Sequence, residues 1–203
     1  VRLNDTREHT EETDGCAVDG VEIRVVDDAR HEVPHGQEGE EASRGPQVFV
    51  GYWGEPEMTA RALDADGWYY SGDYCRTDSE GRYIRITGRK KDIIVRGGEN
   101  ISSREVEDIV LEYPGVREAA VVAMPDERLG ERSCACVSMR PGAPALHLTD
   151  LVAFFDGRRV AKYKFPEYLV VLDALPRTSS GKLQKFALAR MVRERVAAGQ
   201  PSD

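Results

Sequence analysis

The hydrophobic pattern changes near Arg89, and this change constrains the fold of the 203-residue chain more than any other feature. Residues 18–88 contain short alternating segments separated by Gly, Pro and Asp, which is typical of strands and turns. From residue 89 onwards, strand-like segments alternate with amphipathic helices. We therefore predict an α+β protein with two regions, a β-rich region at residues 1–88 and a small mixed α+β domain at residues 89–203.

The first region is predicted to contain strands, one helix and a hairpin. Val21, Ile23 and Val25 alternate with other side chains, which indicates a strand. Pro56 stands at a first-turn position, which favours a helix over residues 56–65. A second strand is expected around residues 47–50, and a turn-bounded hairpin in the segments GWYYSGD and SEGRYIRITGR.

In the second region, the hydrophobic pattern predicts strands and helices in the order β-α-β-β-α-β-α. The first helix has Ser102 or Ser103 as its N-cap and stops before Pro114. The second helix is expected to be capped by Thr149. In the last helix, an apolar stripe is expected to face the domain. That stripe consists of Phe186, Leu188, Met191 and Val192.

Composition excludes several classes of function. The formal charge of −8 and the pI near 5.2 argue against binding to nucleic acid, which requires surplus Lys and Arg. No apolar run is long enough to span a bilayer, so we expect no transmembrane segment. The first residues are polar and lack the apolar core of a secretory signal, so a cytoplasmic location is expected.

Cysteines and histidines give no metal-ligand pattern. Cys134 and Cys136 are separated by one residue in an apolar stretch, so a strand would point both to one face. Buried small hydrophobic residues are the favoured interpretation of this pair. The four histidines are scattered in polar segments. We therefore predict no metal site formed by this chain alone.

Three glycine-punctuated segments place charged side chains on turns. They cover residues 69–73, 87–101 and 176–183. An Asp at a tight turn can accept hydrogen bonds from a ribose diol, and a Lys or Arg can neutralise a phosphate. Each segment also has a purely structural interpretation, as a turn residue, a solvated surface charge or a loop before a helix. The residues alone leave both interpretations open.

Four motifs, taken together and in order, resemble the adenylate-forming superfamily of acyl-CoA synthetases, luciferases and peptide-synthetase adenylation domains. They read VFVGYWGEPEMTA, DGWYYSGD, GRKKDIIVRGGENIS and TSSGKLQK. The resemblance implies that residues 1–88 are the last, β-rich part of a large AMP-binding domain. It implies that residues 89–203 are the C-terminal lid domain.

The resemblance also implies roles for residues that handle the nucleotide. Asp73 matches the aspartate that binds the ribose hydroxyls of ATP and AMP, and Arg89 matches the arginine of the ribose and phosphate region. Lys182 matches the lysine that reaches the substrate carboxylate and α-phosphate during adenylation. A mobile ammonium there lowers the barrier because negative charges converge as carboxylate attacks phosphate.

Three further positions are assigned by the same resemblance. Lys91 occupies the hinge about which the lid swings between two conformations. Gly97 and Gly98 match the glycine pair that lines the pantetheine tunnel when the thioester forms. The segment GGENIS is more similar to acyl-CoA synthetases than to peptide-synthetase adenylation domains, so CoA is the favoured acceptor.

The implied reaction converts a carboxylic acid, ATP and CoA into acyl-CoA, AMP and pyrophosphate through an acyl-adenylate, with Mg²⁺. The family's phosphate loop and its metal-binding glutamate stand upstream of these motifs, and neither occurs here. We therefore expect a fragment that is inactive without its missing N-terminal large domain. Two alternatives are a CoA- or partner-binding module and part of a carrier-loading adenylation enzyme.

One motif departs from the family pattern. The usual GELxVRGP stands here as GEEASRGP at residues 39–46, with charged or small residues in place of strand-favouring apolar ones. We therefore expect this edge to be weakened or disordered.

Overall fold

The structure, a computed structural model, describes residues 5–197, which form two compact units. The chain passes from the first unit to the second between Lys91 and Asp92. Both units combine helices with β-sheet, so the predicted α+β class is confirmed.

The first unit is built on a five-stranded antiparallel sheet with the order β1-β5-β4-β3-β2. Its described elements are α1 (Arg7–Glu12), β1 (Gly15–Cys16), β2 (Glu22–Val26), β3 (Gly39–Arg44), α2 (Pro56–Ala62), β4 (Tyr69–Thr77) and β5 (Tyr83–Arg89). Val26, Ala42, Trp68 and Tyr70 form its buried cluster. The predicted β2 strand and the β4–β5 hairpin are confirmed.

The expected weakening at residues 39–46 is wrong. Residues Gly39–Arg44 form β3, which lies inside the sheet and pairs with both β2 and β4. Ala42 is fully buried, and the carboxylate of Glu40 accepts hydrogen bonds from the Gly72 N–H and the Lys90 ammonium, each at 3.0 Å. Pairing on both sides therefore outweighs the poor strand propensity of this segment.

Two other predictions for this unit need correction. Residues 47–50 form turns and bends rather than a strand, because Gly45 and Pro46 begin a turn in which the Val48 N–H donates to the Gly45 carbonyl. The helix that starts at Pro56 ends at Ala62. Leu63 is extended and forms a bridge with Tyr69, so the backbone has left the helix before residue 65.

The second unit contains two helical layers around a mixed sheet. Its elements are β6 (Ile93–Arg96), β7 (Glu99–Ser102), α3 (Ser103–Leu111), β8 (Val116–Asp126), β9 (Gly130–Met139), α4 (Leu148–Asp156), β10 (Tyr168–Val171) and α5 (Lys185–Ala197), with a 3-10 turn at Lys162–Lys164. A further 3-10 turn, Lys90–Asp92, includes the point where the chain passes from the first unit to the second. The strand order is β10-β9-β6-β7, and β8 pairs with β9. The β10–β9 pair is parallel, and the other pairs are antiparallel.

Strand β9 separates two hydrophobic clusters because its side chains alternate between the faces of the sheet. Ala135 and Val137 belong to the cluster that includes α3 and α4 side chains such as Phe155. Cys134 and Cys136 belong to the cluster that includes Leu188 and Val192 of α5. Both thiols are fully buried, which confirms the prediction of buried residues on one face.

Three details of the second unit differ from the sequence predictions. Strand β7 was not predicted, since it directly precedes α3 without a break. Helix α4 starts at Leu148 with His147 as its N-cap, and the His147 N–H donates to Asp150 at 3.1 Å, so Thr149 lies inside the helix. On α5, Leu188 and Val192 are buried as expected, but Phe186 is 82% exposed. Of the two predicted N-caps of α3, Ser102 is the one observed, and Ser103 is the first residue of the helix.

No helix among residues 5–197 has the length and hydropathy needed to cross a membrane.

Candidate functional site

Asp73 and Arg89 are brought together by the antiparallel hairpin of β4 and β5. They are direct partners in the strand register, although the chain separates them by a turn and most of two strands. The Arg89 Nε lies 3.0 Å from Asp73 Oδ1. Because the side chains of directly opposite residues lie on the same face of a sheet, the register alone creates this carboxylate–guanidinium pair.

The pair leaves hydrogen-bonding capacity for a ligand. A carboxylate has two acceptor oxygens, and a guanidinium has five N–H donors in a planar fork. The ion pair joins one oxygen of Asp73 to one nitrogen of Arg89. The Asp73 side chain is 33% exposed and that of Arg89 is 58% exposed. An anionic ligand with a diol could therefore reach both groups from solvent.

The part of β4 just before Asp73, where the register with β3 shifts, is held by contacts with β3. The Gly72 N–H donates to Glu40 at 3.0 Å, and the Ser71 hydroxyl donates to the Glu41 carbonyl at 3.0 Å. Gly72 has φ +74, a left-handed conformation that glycine adopts without strain. Burial raises the pKa of the Glu41 carboxyl. These contacts orient the backbone at Asp73, whose N–H donates to the Ser71 hydroxyl at 3.1 Å.

Lys91 lies where the chain leaves the first unit. It is the middle residue of the 3-10 turn Lys90–Asp92, and its side chain is exposed. The preceding Lys90 is anchored to the first unit, because its ammonium lies 2.9 Å from Asp28 and 3.0 Å from Glu40. These two carboxylates raise the pKa of Lys90. The hinge role of Lys91 stays a prediction.

Gly97 and Gly98 form the two-residue turn between β6 and β7. Their φ angles are +59 and +91, and Arg96 pairs with Glu99 on either side of the turn. Such a turn requires positive φ at both positions, which is a structural reason for two glycines. A Cβ at Gly98 would meet no atom within 4 Å, whereas at Gly97 it would lie 3.3 Å from Leu129. The turn therefore presents open space beside bare backbone.

An ion-pair network supports this turn. Arg96 donates to both oxygens of Glu167 at 2.8 and 3.0 Å, and Arg132 donates to the same carboxylate at 2.9 Å. Arg132 also pairs with Asp126, whose carboxylate accepts the Leu129 N–H at 2.8 Å. The Leu129 carbonyl in turn accepts the Gly97 N–H at 2.8 Å. Sequence reasoning missed this network, since Glu167 is distant in the chain and has no local signal.

Lys182 lies on a tight loop with a fixed backbone. Arg177 and Leu183 form a bridge, and within it the Lys182 N–H donates to the Thr178 hydroxyl at 3.0 Å while its carbonyl accepts the Thr178 N–H at 2.8 Å. Arg177 donates to the Gly181 carbonyl at 2.7 Å and pairs with Glu118 on β8. The Lys182 side chain itself is exposed. The loop therefore presents an exposed ammonium from a backbone that is fixed by hydrogen bonds.

The two loops of the second unit lie at opposite ends of the β8–β9 hairpin. The Lys182 loop is attached to Glu118, near the start of β8, and the Gly97–Gly98 turn is attached to Leu129, just after the end of β8. At about 3.3 Å per residue, the strand between Glu118 and Asp126 spans roughly 25 Å. The structure therefore does not bring Lys182 together with Gly97 and Gly98.

No group of three or more His, Cys, Asp or Glu side chains is arranged to hold a metal ion within the described part of the chain.

Comparison with known proteins identifies the class. The model of the AMP-binding enzyme C-terminal domain matches residues 105–182, and the model of the AMP-binding enzyme matches residues 1–53. The chain belongs to the AMP-binding enzyme family, whose adenylate-forming members include acyl-CoA synthetases. Its second unit carries the C-terminal domain of that family.

Individual relatives include a CoA ligase and an AMP ligase. The chain is 63% identical over 196 residues to the medium-chain fatty-acid–CoA ligase of Escherichia coli K12, a match that covers 97% of this chain and 34% of that enzyme. It is 40% identical to the vibriobactin-specific 2,3-dihydroxybenzoate-AMP ligase of Vibrio cholerae, over 93% of this chain and 35% of that protein. The chain thus spans about a third of the length of the curated relatives it matches.

Solved structures agree with this assignment. ATP-bound MatB from Rhodopseudomonas palustris has a TM-score of 0.83 and 35% identity, covering 90% of this chain and 36% of that one. The o-succinylbenzoate CoA synthetase of Bacillus subtilis, in complex with its acyl-adenylate intermediate, has a TM-score of 0.79 and 29% identity, covering 89% and 36%. The fold is therefore that of the corresponding part of adenylate-forming enzymes.

Proposed function

We propose that this chain is the C-terminal part of an ATP-dependent acyl-CoA synthetase. The whole enzyme would convert a carboxylic acid, ATP and CoA into acyl-CoA, AMP and pyrophosphate through an acyl-adenylate. In this proposal residues 1–88 end the large AMP-binding domain, and residues 89–203 form its lid. Magnesium would accompany ATP, and the location would be cytoplasmic. The observation that carries the proposal is the Asp73–Arg89 pair in a chain 63% identical to a fatty-acid–CoA ligase.

The first half-reaction would use the pair and the lysine loop. Asp73 would accept hydrogen bonds from the ribose hydroxyls, and Arg89 would donate to the ribose and phosphate region while it remains paired with Asp73. Lys182 would place its ammonium between the carboxylate and the α-phosphate. As the carboxylate oxygen attacks phosphorus, pyrophosphate leaves and negative charge builds up on the α-phosphate, where a nearby ammonium stabilises the transition state.

The second half-reaction would use the other end of the lid. There the CoA thiolate attacks the acyl carbonyl carbon, and AMP leaves with the bonding electrons. The open space at Gly98 would admit the thin pantetheine arm. Because the Lys182 loop and the Gly97–Gly98 turn are separated by most of a strand, one orientation of the lid cannot place both at the same reaction centre. This separation supports a rotation of the lid about Lys91 between the two half-reactions.

The acyl group is proposed to be a fatty acid. The support is that two relatives are fatty-acid or acyl-CoA ligases: the Escherichia coli enzyme, and the medium-chain acyl-CoA ligase ACSF2 of Mus musculus, which is 42% identical over 78% of this chain. A carrier-bound thiol is the second candidate acceptor, since the Vibrio cholerae AMP ligase also matches. Comparing CoA with a phosphopantetheine carrier protein would separate the two acceptors.

Substitution of Asp73 by Asn is expected to weaken ATP use by the full-length enzyme. A hydrogen bond to a charged group contributes about 1.5–3 kcal/mol, so the KM for ATP should rise about 10- to 100-fold. The matched control is Glu22→Gln, which removes the carboxylate from another cross-strand pair, Arg44–Glu22, in the same sheet. An unchanged KM for ATP in Asp73→Asn, measured by pyrophosphate release, would contradict the assignment.

The proposal as a whole is tested by joining this chain to its encoded upstream sequence. Pyrophosphate release is measured with ATP, magnesium, CoA and short-, medium- and long-chain fatty acids, for the joined protein and for this chain alone. We expect turnover in the joined protein and none in this chain. Turnover by this chain alone would refute the fragment interpretation, and a joined protein that is folded but inactive with every acid would refute the ligase assignment.

A further inference from the structure

The ammonium of Lys185 joins three segments of the second unit. It lies 2.7 Å from Glu107 Oε1 and donates to the Ser103 hydroxyl at 2.9 Å, both on α3. It also lies 3.5 Å from Asp92 Oδ2, on the first residue of the second unit. Lys185 itself is the first residue of α5.

Glu107 is held in place by more than this ion pair. Its Oε1 also accepts the Val121 N–H of β8 at 2.7 Å. The residue is only 8% exposed, and burial raises the pKa of its carboxyl while Lys185 lowers it. A buried carboxylate needs both a counter-charge and hydrogen bonds, and here it has them from α5 and β8. The Lys185–Glu107 contact therefore links α5, α3 and β8 within the unit.

The Lys185–Glu107 contact also connects the predicted hinge with the Lys182 loop. Asp92 directly follows Lys91, and Lys185 is three residues beyond Lys182, so it lies within about 10 Å along an extended chain. The loop is closed on its other side by the Arg177–Glu118 pair on the same strand, β8. Both sides of the Lys182 loop are thus connected to β8. Arg177, before Lys182, pairs with Glu118 directly, and Lys185, after Lys182, is connected through Glu107.

We propose that Lys185 is a positioning residue for adenylation, acting through Lys182. Its contacts with Asp92 and Glu107 make the residue after the hinge, helix α3 and the base of the Lys182 loop move as one body. Rotation about the hinge then brings the Lys182 ammonium to one position relative to the reacting carboxylate and α-phosphate. The inference rests on the proposed function, because it assigns Lys182 to the first half-reaction.

The test is Lys185→Met in the full-length protein, measured in each half-reaction. Misplacement of a catalytic group by about 1 Å can cost about 100-fold, so we expect adenylation to slow by about 10- to 100-fold. Thioester formation from pre-made acyl-adenylate should stay close to the unsubstituted rate. In a Lys182→Ala background, Lys185→Met should cause no further loss of adenylation, since residues that act as one unit are not additive. Lys185→Arg should restore part of the rate.

Two controls separate positioning from folding. Lys185→Met leaves Glu107 buried without its counter-charge, so Lys185→Gln, which keeps a donor, is measured beside it. Phe155→Leu disturbs the fully buried core of the same unit without touching this cluster. Phe155→Leu should lower the thermal stability of the protein and slow both half-reactions by the same factor.

The outcomes distinguish this inference from the proposed function. Equal losses in both half-reactions for Lys185→Met, or a loss that adds to that of Lys182→Ala, would overturn the positioning role alone. A Lys182→Ala enzyme that keeps its adenylation rate would overturn the proposed role of Lys182, and the inference with it. A selective, non-additive loss with rescue by Lys185→Arg would support it.

Discussion

Replacing Lys182 by Ala in the full-length enzyme is expected to slow acyl-adenylate formation about 100- to 1000-fold, or about 2.7–4 kcal/mol in the barrier. The physical reason is that negative charges converge only in this half-reaction, and the ammonium on the braced loop is the group proposed to meet them. Thioester formation from pre-made acyl-adenylate should be nearly unchanged, since the loop is attached to the opposite end of the β8–β9 hairpin from the glycine turn.

The measurement is pyrophosphate exchange for the first half-reaction and CoA consumption from synthetic acyl-adenylate for the second. Arg190→Ala is the matched control, because it removes a cation from the exposed face of α5, where Arg190 is 69% exposed and only loosely paired with Glu194 at 3.9 Å. It should leave both half-reactions unchanged. Equal losses in the two half-reactions of Lys182→Ala would contradict the assignment.

Replacing Gly98 by Leu is expected to have the reverse selectivity. A side chain there would fill space that holds no protein atom within 4 Å of the Cβ position and would obstruct the pantetheine arm. Displacement of the reacting thiol by about 1 Å is enough for a loss of about 100-fold, so kcat/KM for CoA should fall by at least that factor while adenylation continues.

Backbone strain must be separated from obstruction in that experiment. Gly98 has φ +91, and an L residue in left-handed backbone costs roughly 1–2 kcal/mol. Gly142→Leu is the matched control, since Gly142 has φ +79, also has no atom within 4 Å of its Cβ position, and lies outside the proposed site. If Gly142→Leu lowers CoA use as much as Gly98→Leu, or if Gly98→Leu leaves CoA kinetics unchanged, the pantetheine placement is wrong.

Some parts of the proposed site are formed by residues adjacent in sequence, and others by residues far apart in the chain. The glycine pair and the loop before Lys182 can be recognised from adjacent residues, because a two-residue hairpin turn or a loop before a helix has a local chemical signature. The Arg96–Glu167–Arg132 network and the Lys185–Glu107 contact have no such signature. Their partners come from different strands and helices, so only packing of the whole unit shows that they meet.

The amino-acid sequence by itself determined the class of fold, the β4–β5 hairpin, helix α3 with a serine cap at Ser102 or Ser103, and the burial of Cys134 and Cys136. Capping, turn chemistry and side-chain periodicity act over a few residues, so they can be read without knowing what lies nearby. The same rules underrated β3, whose charged and small residues suggested a weak edge.

The tertiary structure decided what depends on neighbours. Strand β3 is stable because it pairs on both sides, and Glu40 is tolerated in it because Gly72 and Lys90 satisfy its carboxylate. Likewise, Phe186 is exposed although it fits a helical stripe, and Asp73 meets Arg89 only through the register of two strands. Hydrogen-bond pairing and burial are set by segments far apart in the chain, and these long-range contacts override local propensity.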